Sequence, residues 1–379
     1  MNTNIVLLFC ALFFLSACTS KPSSSVTIED DTLPVEETFK DIDLANNLKD
    51  CGKPLLLSDI VKGVEYVKLE TQDSILVGDI KQLKRTEKFV FIYSRNQNHV
   101  MMFDTSGRFI RKIGRVGQGP GEVTNINFFT VSDSLVFIYP FSRNGSLTVY
   151  DMRDNIFVKE IPLKWPNFYS EAIDVMEDCL IYYPGTVSNG NERVFISACV
   201  VNGKGETLME QIPYLSSGDK EIVQLSSDPS WLYRGRSNVY SFINDTIYGI
   251  TCDSIFPRYH LSLGKYKLPS GRYDPTHDYG WGDFVLMQSV YETKEFLFLK
   301  FWFDKKLWFS RYDKKTEKID SWEQTPFKAH YWMILDAPGI TNDIDGSQSF
   351  KDFDNVRSEE RRVGKECTSW CRSRWSPYH

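Results

Sequence analysis

VMMFDTSGRFIRKIGRVGQGPGEV, Val100 to Val123, is the stretch on which the fold turns. Its first half is a strand, a polar turn and a second strand: an apolar run ends at Asp104, Thr105-Ser106-Gly107 breaks it, and a second run ends at Ile113. The second half crowds Gly114, Gly117, Gly119, Pro120 and Gly121 into one short segment. Such a loop either cradles a phosphate or turns a corner. A phosphate loop of the Walker type needs a lysine and a hydroxyl after its last glycine, because these reach the terminal phosphates and the magnesium ion. Here Glu122, which repels a phosphate, and Val123 follow instead. A dinucleotide loop must open a helix, whereas NINFFTV, Asn125 to Val131, reads as a strand. The corner is therefore the reading adopted: glycines stand where φ is positive, and Pro120 fixes its own φ, as the chain leaves one sheet for the next. A nest of backbone N–H groups facing a ligand is the alternative use of the same loop.

Outward from this stretch, the chain between Thr71 and Asp320 shows runs of about five residues rich in Val, Ile, Phe and Tyr, with almost no helical period. Examples are FVFIY (Phe89 to Tyr93), LVFIY (Leu135 to Tyr139), TIYGI (Thr246 to Ile250) and EFLFLKFWF (Glu295 to Phe303). The hairpin that ends its first strand in Asp recurs as LTVYDMRDNIFVKEI and WFSRYDKKTEKI. Units starting near Leu76, Ile126, Ser170, Val239 and Phe284 are spaced by 50, 44, 69 and 45 residues, the long interval holding an insertion around Pro213 to Asn238. A period near 45 is that of propeller blades, each a four-stranded sheet that buries its faces only against its neighbours. Strand material remains at both ends, FKDIDL and VEYVKL before the units and HYWMIL after them. Sharing these in a sixth blade removes an exposed edge. The expected fold is all-β, a six-bladed β-propeller of four-stranded antiparallel blades spanning 39–356, its last blade truncated.

The run DTSGRFIRKIGRVGQGPGEV, together with VEYVKLET, NDTIYGI, PRYHLSLGKYKLP and NDIDG, resembles the six-bladed β-propeller lipoproteins, relatives of the NHL-repeat propellers. The resemblance covers roughly Asp41 to Gly346 and implies a propeller whose function is mostly unassigned. The C-terminus departs from the pattern, because the expected closing residues are missing after NDIDGSQSF.

The ends carry other information. MNTNIVLLFCALFFLSACTS has an apolar run from Ile5 to Leu15 followed by small residues and a cysteine, the form of an export signal over 1–17. The run is shorter than the roughly 20 residues that a spanning helix needs. Leu15-Ser16-Ala17-Cys18 resembles the bacterial lipobox, which makes Cys18 the lipidated first residue of the mature chain. Residues 18–38, rich in Ser, Pro and acids, read as a tether. At the far end, RSEERRVGKEC, Arg357 to Cys367, back-translates without mismatch into the constant part of a common sequencing adapter, and CRSRWSPYH continues it after an index-sized gap. Residues 357–379 are read as translated adapter, and their removal changes the net charge from −6 to −9, since the tail holds six basic and three acidic residues. That balance offers nothing to a nucleic acid. Cys51, Cys179, Cys199 and Cys252 show no C-x-x-C spacing. In an oxidising compartment two of them could pair, but four cysteines in a chain this long more commonly pack as small apolar residues.

Candidate sites are few. GRYDPTHDYGWGDF, Gly271 to Phe284, sets Tyr273, Tyr279 and Trp281 among Arg272, Asp274, His277, Asp278 and Asp283 without a strand pattern. Aromatic faces flanked by hydrogen-bonding groups suit a sugar ring or a peptide; anchoring the loop on its own blade is the bland use of the same residues. If this loop shares a face with the glycine corner, Arg272, Tyr273, His277, Tyr279, Trp281, Asp283 and Glu122 are the ligand-binding candidates. NDIDG places Asp343 and Asp345 before Gly346, as calcium loops do, with Thr341 at the first ligand position; calcium on this incomplete pattern is the one cofactor the sequence offers, and a plain turn is the other use of the same residues. His99, His260, His277 and His330 stand alone, and no G-x-S-x-G marks a nucleophile. The leading expectation is a non-catalytic, membrane-anchored propeller of the bacterial envelope, periplasm-facing or at the outer membrane, that recognises a glycan, peptide or protein partner at its channel face. A propeller enzyme, either a glycan hydrolase or lyase or a metal-dependent lactonase, is one alternative. A structural subunit of an envelope complex is another.

Overall fold

Four of the apolar runs stop at a turn capped by their own last residue. Asp104 Oδ1 accepts the backbone N–H groups of Ser106 and Arg108 at 2.9 and 3.0 Å, Asp151 Oδ1 those of Arg153 and Asp154 at 2.8 and 2.9 Å, and Asp313 Oδ1 those of Lys315 and Thr316 at 2.8 and 3.0 Å. Asn202 does the same for Lys204 and Glu206. The side-chain carbonyl mimics the backbone of a turn, which is why a strand that ends in Asp or Asn predicts a hairpin.

The computed structural model describes residues 39–346 except 54, 62, 73–74, 95–96, 141–144, 166–171, 190–191, 212–213, 216–229, 241–244, 269–282, 325–327, 331–332 and 337–339. The described strands belong to one unit, Glu36–His379. After β1 (Lys40–Asp43), blade one is β2 (Ile80–Arg85), β3 (Phe89–Ser94), β4 (Val100–Asp104) and β5 (Phe109–Ile113). Blade two is β6 (Ile126–Val131), β7 (Leu135–Pro140), β8 (Ser146–Asp151) and β9 (Phe157–Pro162). Blade three opens with β10 (Ile173–Val175) and β11 (Cys179–Tyr182), is interrupted by β12 (Gly185–Asn189) and β13 (Glu192–Ile196), and finishes with β14 (Ala198–Asn202) and β15 (Thr207–Gln211). The interrupting strands pair with β16 (Tyr214–Leu215) in a three-stranded sheet of their own. Blade four is β17 (Ser230–Tyr233), β18 (Arg236–Val239), β19 (Thr246–Ile250) and β20 (Ile255–Ser262), with β1 added parallel to β20. Blade five is β21 (Leu286–Glu292), β22 (Phe296–Phe303), β23 (Lys306–Asp313) and β24 (Ile319–Gln324). A hairpin of β25 (Lys328–His330) and β26 (Met333–Asp336) follows. Within every blade the pairing is antiparallel, and the inner strands β2, β6, β10, β17 and β21 neighbour one another in that order. The fold is an all-β propeller.

The core lies between blades. Phe91, Met102 and Ile113 of blade one meet Phe129, Val136 and Tyr150 of blade two, and Phe128, Tyr139 and Leu147 of blade two meet Leu180, Tyr182 and Val201 of blade three. Cys179 of β11 is bonded to Cys252, in the β19–β20 turn, across blades three and four, with Cα atoms 5.6 Å apart. Two of the four cysteines are thus paired rather than packed; Cys199 is buried and Cys51 exposed, both free.

The blade count departs from the expectation. The described residues form five blades, not six. FKDIDL does not join a last blade: its Lys40–Asp43 pairs with Tyr259–Ser262 of blade four, held also by Asp41, which accepts from Ser262 Oγ at 2.8 Å and faces His260 Nδ1 at 3.3 Å. VEYVKL is not a strand; Leu69 instead covers the free face of blade one together with Ile75 and Val77. The free face of blade five is covered by Leu55, Leu57 and Ile340. HYWMIL lies across the β25–β26 hairpin. Blade four also begins earlier than the sequence spacing suggests. SWLYRGRSNV forms the β17–β18 hairpin around Arg234 and Gly235, both at positive φ, so Val239 ends its second strand instead of opening the first.

Candidate functional site

The glycine corner is tied down by partners of its own. Gly114 N donates to Asn155 Oδ1 at 3.0 Å, Arg115 N to Tyr150 Oη at 3.2 Å, Gly119 N to Glu122 Oε2 at 2.9 Å and Val123 N to Arg115 O at 2.7 Å. Val116 and Val123 form a parallel bridge across the loop. Glu122 thus places its carboxylate on a loop amide that an incoming anion would use. Gly121 stands at φ 69°, and a Cβ on it would lie 2.4 Å from Phe157 Cγ. The corner rests against the β8–β9 hairpin of the next blade.

The inner strands carry a different signal. In β2, β6 and β21 the pairing with the second strand skips one residue, Lys81, Asn127 and Gln288 respectively, at the second or third position of the strand. Each inner strand starts where the chain arrives from the preceding blade, so the three bulges lie at the crossing end of the propeller. A bulge leaves its extra residue out of the ladder and re-aims the side chain. Lys81 reaches across to blade two, with Nζ 2.8 Å from Asn127 O, and Gln82 Oε1 accepts Phe129 N–H at 2.8 Å. Polar chains of adjacent blades therefore meet at this end. Sequence reading missed all three, since a bulge leaves no mark in a five-residue apolar run.

Arg272, Tyr273, His277, Tyr279 and Trp281 lie outside the described residues, as do Cys18, the signal and tether and the adapter-like tail. The flanks of the aromatic segment are described. Val285 N donates to Tyr266 O at 2.9 Å, Leu268 and Val285 are buried, and Asp283 is exposed. That bond closes the base of the segment at the crossing between blades four and five.

The family model described as a domain of unknown function, DUF4934, matches residues 39–361. The chain belongs to the DUF4934 family. Among solved structures the DUF4934 chain is similar to a candidate exported protein of Bacteroides fragilis, at 18% identity and TM-score 0.57, covering 77% of this chain and 86% of that one. It is also similar to a member of the DUF4221 family from Bacteroides vulgatus, at 9% identity and TM-score 0.41, covering 67% and 84%. The first of these is a likeness of fold. No curated protein matches the chain.

Between blades four and five of the DUF4934 propeller lies a buried ionic cluster. Arg258 of β20 and Glu292 of β21 are 1% and 0% exposed and form a two-pronged pair, Nη1 to Oε2 at 2.7 Å and Nη2 to Oε1 at 2.9 Å. Glu292 also accepts from Trp231 Nε1 at 2.9 Å, Tyr259 Oη at 3.1 Å and Lys314 Nζ at 2.7 Å. Burial alone would raise its pKa, but the Arg258 and Lys314 charges win and hold it down at about 2. A carboxylate with five donors is fixed as an anion and has no lone pair left for a proton or a metal. Arg258 is the extra residue of a bulge in β20, and Gly249 makes its room: a Cβ there would lie 2.8 Å from Arg258 Cδ. A second cluster joins blades three and four, where Asp174 Oδ2 accepts from Tyr183 Oη at 2.8 Å and from Ser237 Oγ at 2.5 Å. Ser237 is fully buried, so this serine and carboxylate tie blades together.

The weak calcium candidates have partners as well. Asp343 accepts from Ser58 N at 3.0 Å and Ser58 Oγ at 2.6 Å, which holds its carboxyl below the usual range. Asp345 accepts from Tyr66 Oη at 2.6 Å and Asn342 Nδ2 at 2.8 Å. With the Leu56–Thr341 bridge they clasp the segment before blade one to the segment after blade five. Among the described residues no group of three His, Cys, Asp or Glu is placed to hold a metal. His99 is half-buried, and burial with the neighbouring Lys112 charge lowers its pKa to about 4.

Proposed function

We propose that this DUF4934 protein is a membrane-anchored recognition propeller of the bacterial envelope, which binds a glycan, peptide or protein partner at its crossing end without transforming it. The observation that carries the reading is the set of inner-strand bulges, which present Lys81, Asn127 and Gln288 where the crossings gather. The Tyr266–Val285 bond supports it, because it fixes at the same end the base of the segment holding Tyr273, Tyr279 and Trp281. Binding is favoured over catalysis by the state of the buried carboxylates: Glu292 and Asp174 are committed to inter-blade ties. Anchoring is supported by the small residues before Cys18, and export by the Cys179–Cys252 bond, which persists in an oxidising compartment. The ring is completed at a sixth position by both chain ends, a reading supported by the Leu56–Thr341 bridge and the Asp343–Ser58 contacts.

The test is a screen of glycans and peptides against lipid-free protein beginning at Glu36, with Lys81→Ala and Gln288→Ala variants in parallel. Ligands that bind the wild type and lose affinity for either variant support the reading. A ligand indifferent to both, and to Trp281→Ala, places the site elsewhere.

A further inference from the structure

We propose that the outer rim of blades one and two is a docking surface for an anionic phospholipid bilayer. The choice of a bilayer among anionic partners rests on the lipid-anchored reading of Cys18.

Three outer strands carry the same device. In β5 the pairing skips Ile110, in β9 Val158 and in β15 Leu208, so each strand bulges and pushes an apolar side chain into solvent, at 40%, 47% and 47% exposure. Blade three differs in charge, since residues 173–211 hold 2 Lys and Arg against 6 Asp and Glu. A bulge alone blunts a free sheet edge, and that purpose does not require an apolar residue on it. The Gly114 N to Asn155 Oδ1 bond at 3.0 Å brings the end of β5 against the β8–β9 turn. Val116 and Ile156, 58% and 54% exposed, therefore add to the same rim.

Cations surround these apolar residues. Lys112, Arg115 and Arg153 are exposed, and among the described residues none of them pairs with a carboxylate. Of the nearby acids, Asp104 binds Arg108, Asp151 caps its own turn and Glu122 binds Gly119 N, while Asp154 and Glu160 are exposed. Residues 80–165 hold 13 Lys and Arg against 7 Asp and Glu, in a chain whose net charge is −6. Apolar side chains flanked by cations are what an interfacial surface uses, the first entering the headgroup boundary and the second meeting lipid phosphates. A fully stretched chain of 21 residues, the length of 18–38, reaches about 70 Å at ~3.4 Å per residue, so on the tether reading surface chemistry is left to select the face that meets the bilayer.

The experiment uses the full chain on neutral phosphatidylcholine vesicles and on vesicles containing phosphatidylglycerol, read by flotation and by hydrogen exchange of 108–116 and 153–158. The full chain should float with both through its anchor, and the two rim segments should gain protection only on the anionic vesicles. High salt should remove that protection. K112E/R115E/R153E should remove it too, lowering the rim's own partitioning roughly 100-fold, with the thermal midpoint as folding control. Ile110→Ser/Val158→Ser serves as a second variant and should weaken the same protection. Equal exchange on both vesicle types overturns the proposal. A chain that stays behind with neutral vesicles overturns the anchor instead. The rim is then judged by flotation with anionic vesicles: loss in the charge-reversed variant supports it, and no flotation of the wild type overturns it.

Discussion

Replacing Cys179 and Cys252 together by alanine removes the covalent tie between blades three and four and leaves both side-chain positions small and apolar. The bond closes a loop of 73 residues. With the chain-entropy relation, opening that loop frees about 15 cal/mol/K in the unfolded chain, or about 4 kcal/mol at 25 °C. A unit of roughly 300 residues has an unfolding entropy of about 0.6 kcal/mol/K, so the midpoint should fall by about 7 °C. Calorimetry on the oxidised wild type, the reduced wild type and the double variant separates the terms. Reduction reports the crosslink, and the variant adds a small cavity at buried Cys179. Alkylation under non-reducing conditions, read by mass, should leave Cys179 and Cys252 unmodified and label exposed Cys51. Labelling of both residues in native protein, or identical midpoints before and after reduction, would refute the tie and with it one support for export.

Glu292→Ala strands the Arg258 charge in a closed interior and should cost about 3–5 kcal/mol, whereas Arg258→Met/Glu292→Leu, which takes the acceptor only from Lys314, Trp231 and Tyr259, should cost less; urea denaturation distinguishes them. Because the folded pKa of Glu292, about 2, lies below its ordinary value of 4.5, its contribution is full above pH 4.5 and is lost as pH falls towards 2, an acid-side loss of about 3 kcal/mol that Arg258→Met should reduce, Lys314 supplying the remainder. Gly121→Val meets both a positive φ and Phe157 and should destabilise by about 1–3 kcal/mol without altering ligand affinity, measured by thermal melts and titration. Cys18→Ala should abolish incorporation of a fatty-acid analogue and release the protein from membranes, and unchanged labelling would count against the anchor.

The parts of the fold legible in the sequence were those written by local chemistry. Asp104, Asp151 and Asp313 cap their turns through their own side chains, so the hairpins and the blade period could be read from a few neighbouring residues. The β17–β18 hairpin escaped because its first strand offers only the three apolar residues Trp231-Leu232-Tyr233 before the polar Arg234-Gly235-Arg236-Ser237-Asn238, a run shorter than those of the other blades. Long-range pairing was equally hidden: nothing near Lys40 signals a parallel partner at Tyr259, and nothing near Cys179 points to Cys252. The cover of blade one was misread as strand material because Leu69 obeys the same demand for burial as a strand residue without its pairing. At the candidate site the aromatic segment was conspicuous by composition. The bulges at Lys81, Asn127 and Gln288 are a property of register, which emerges only when two strands are paired.

The most direct test of recognition at the crossing end is isothermal titration of a screened glycan or peptide against wild type and Trp281→Ala, after matched thermal midpoints show that both are folded. Trp281 as a buried anchor of the ligand predicts a loss of about 1–3 kcal/mol, roughly a 5- to 150-fold weaker Kd. Equal affinity in the two proteins would contradict the account, since the one aromatic segment rooted at the crossing between blades four and five would then contribute nothing to binding.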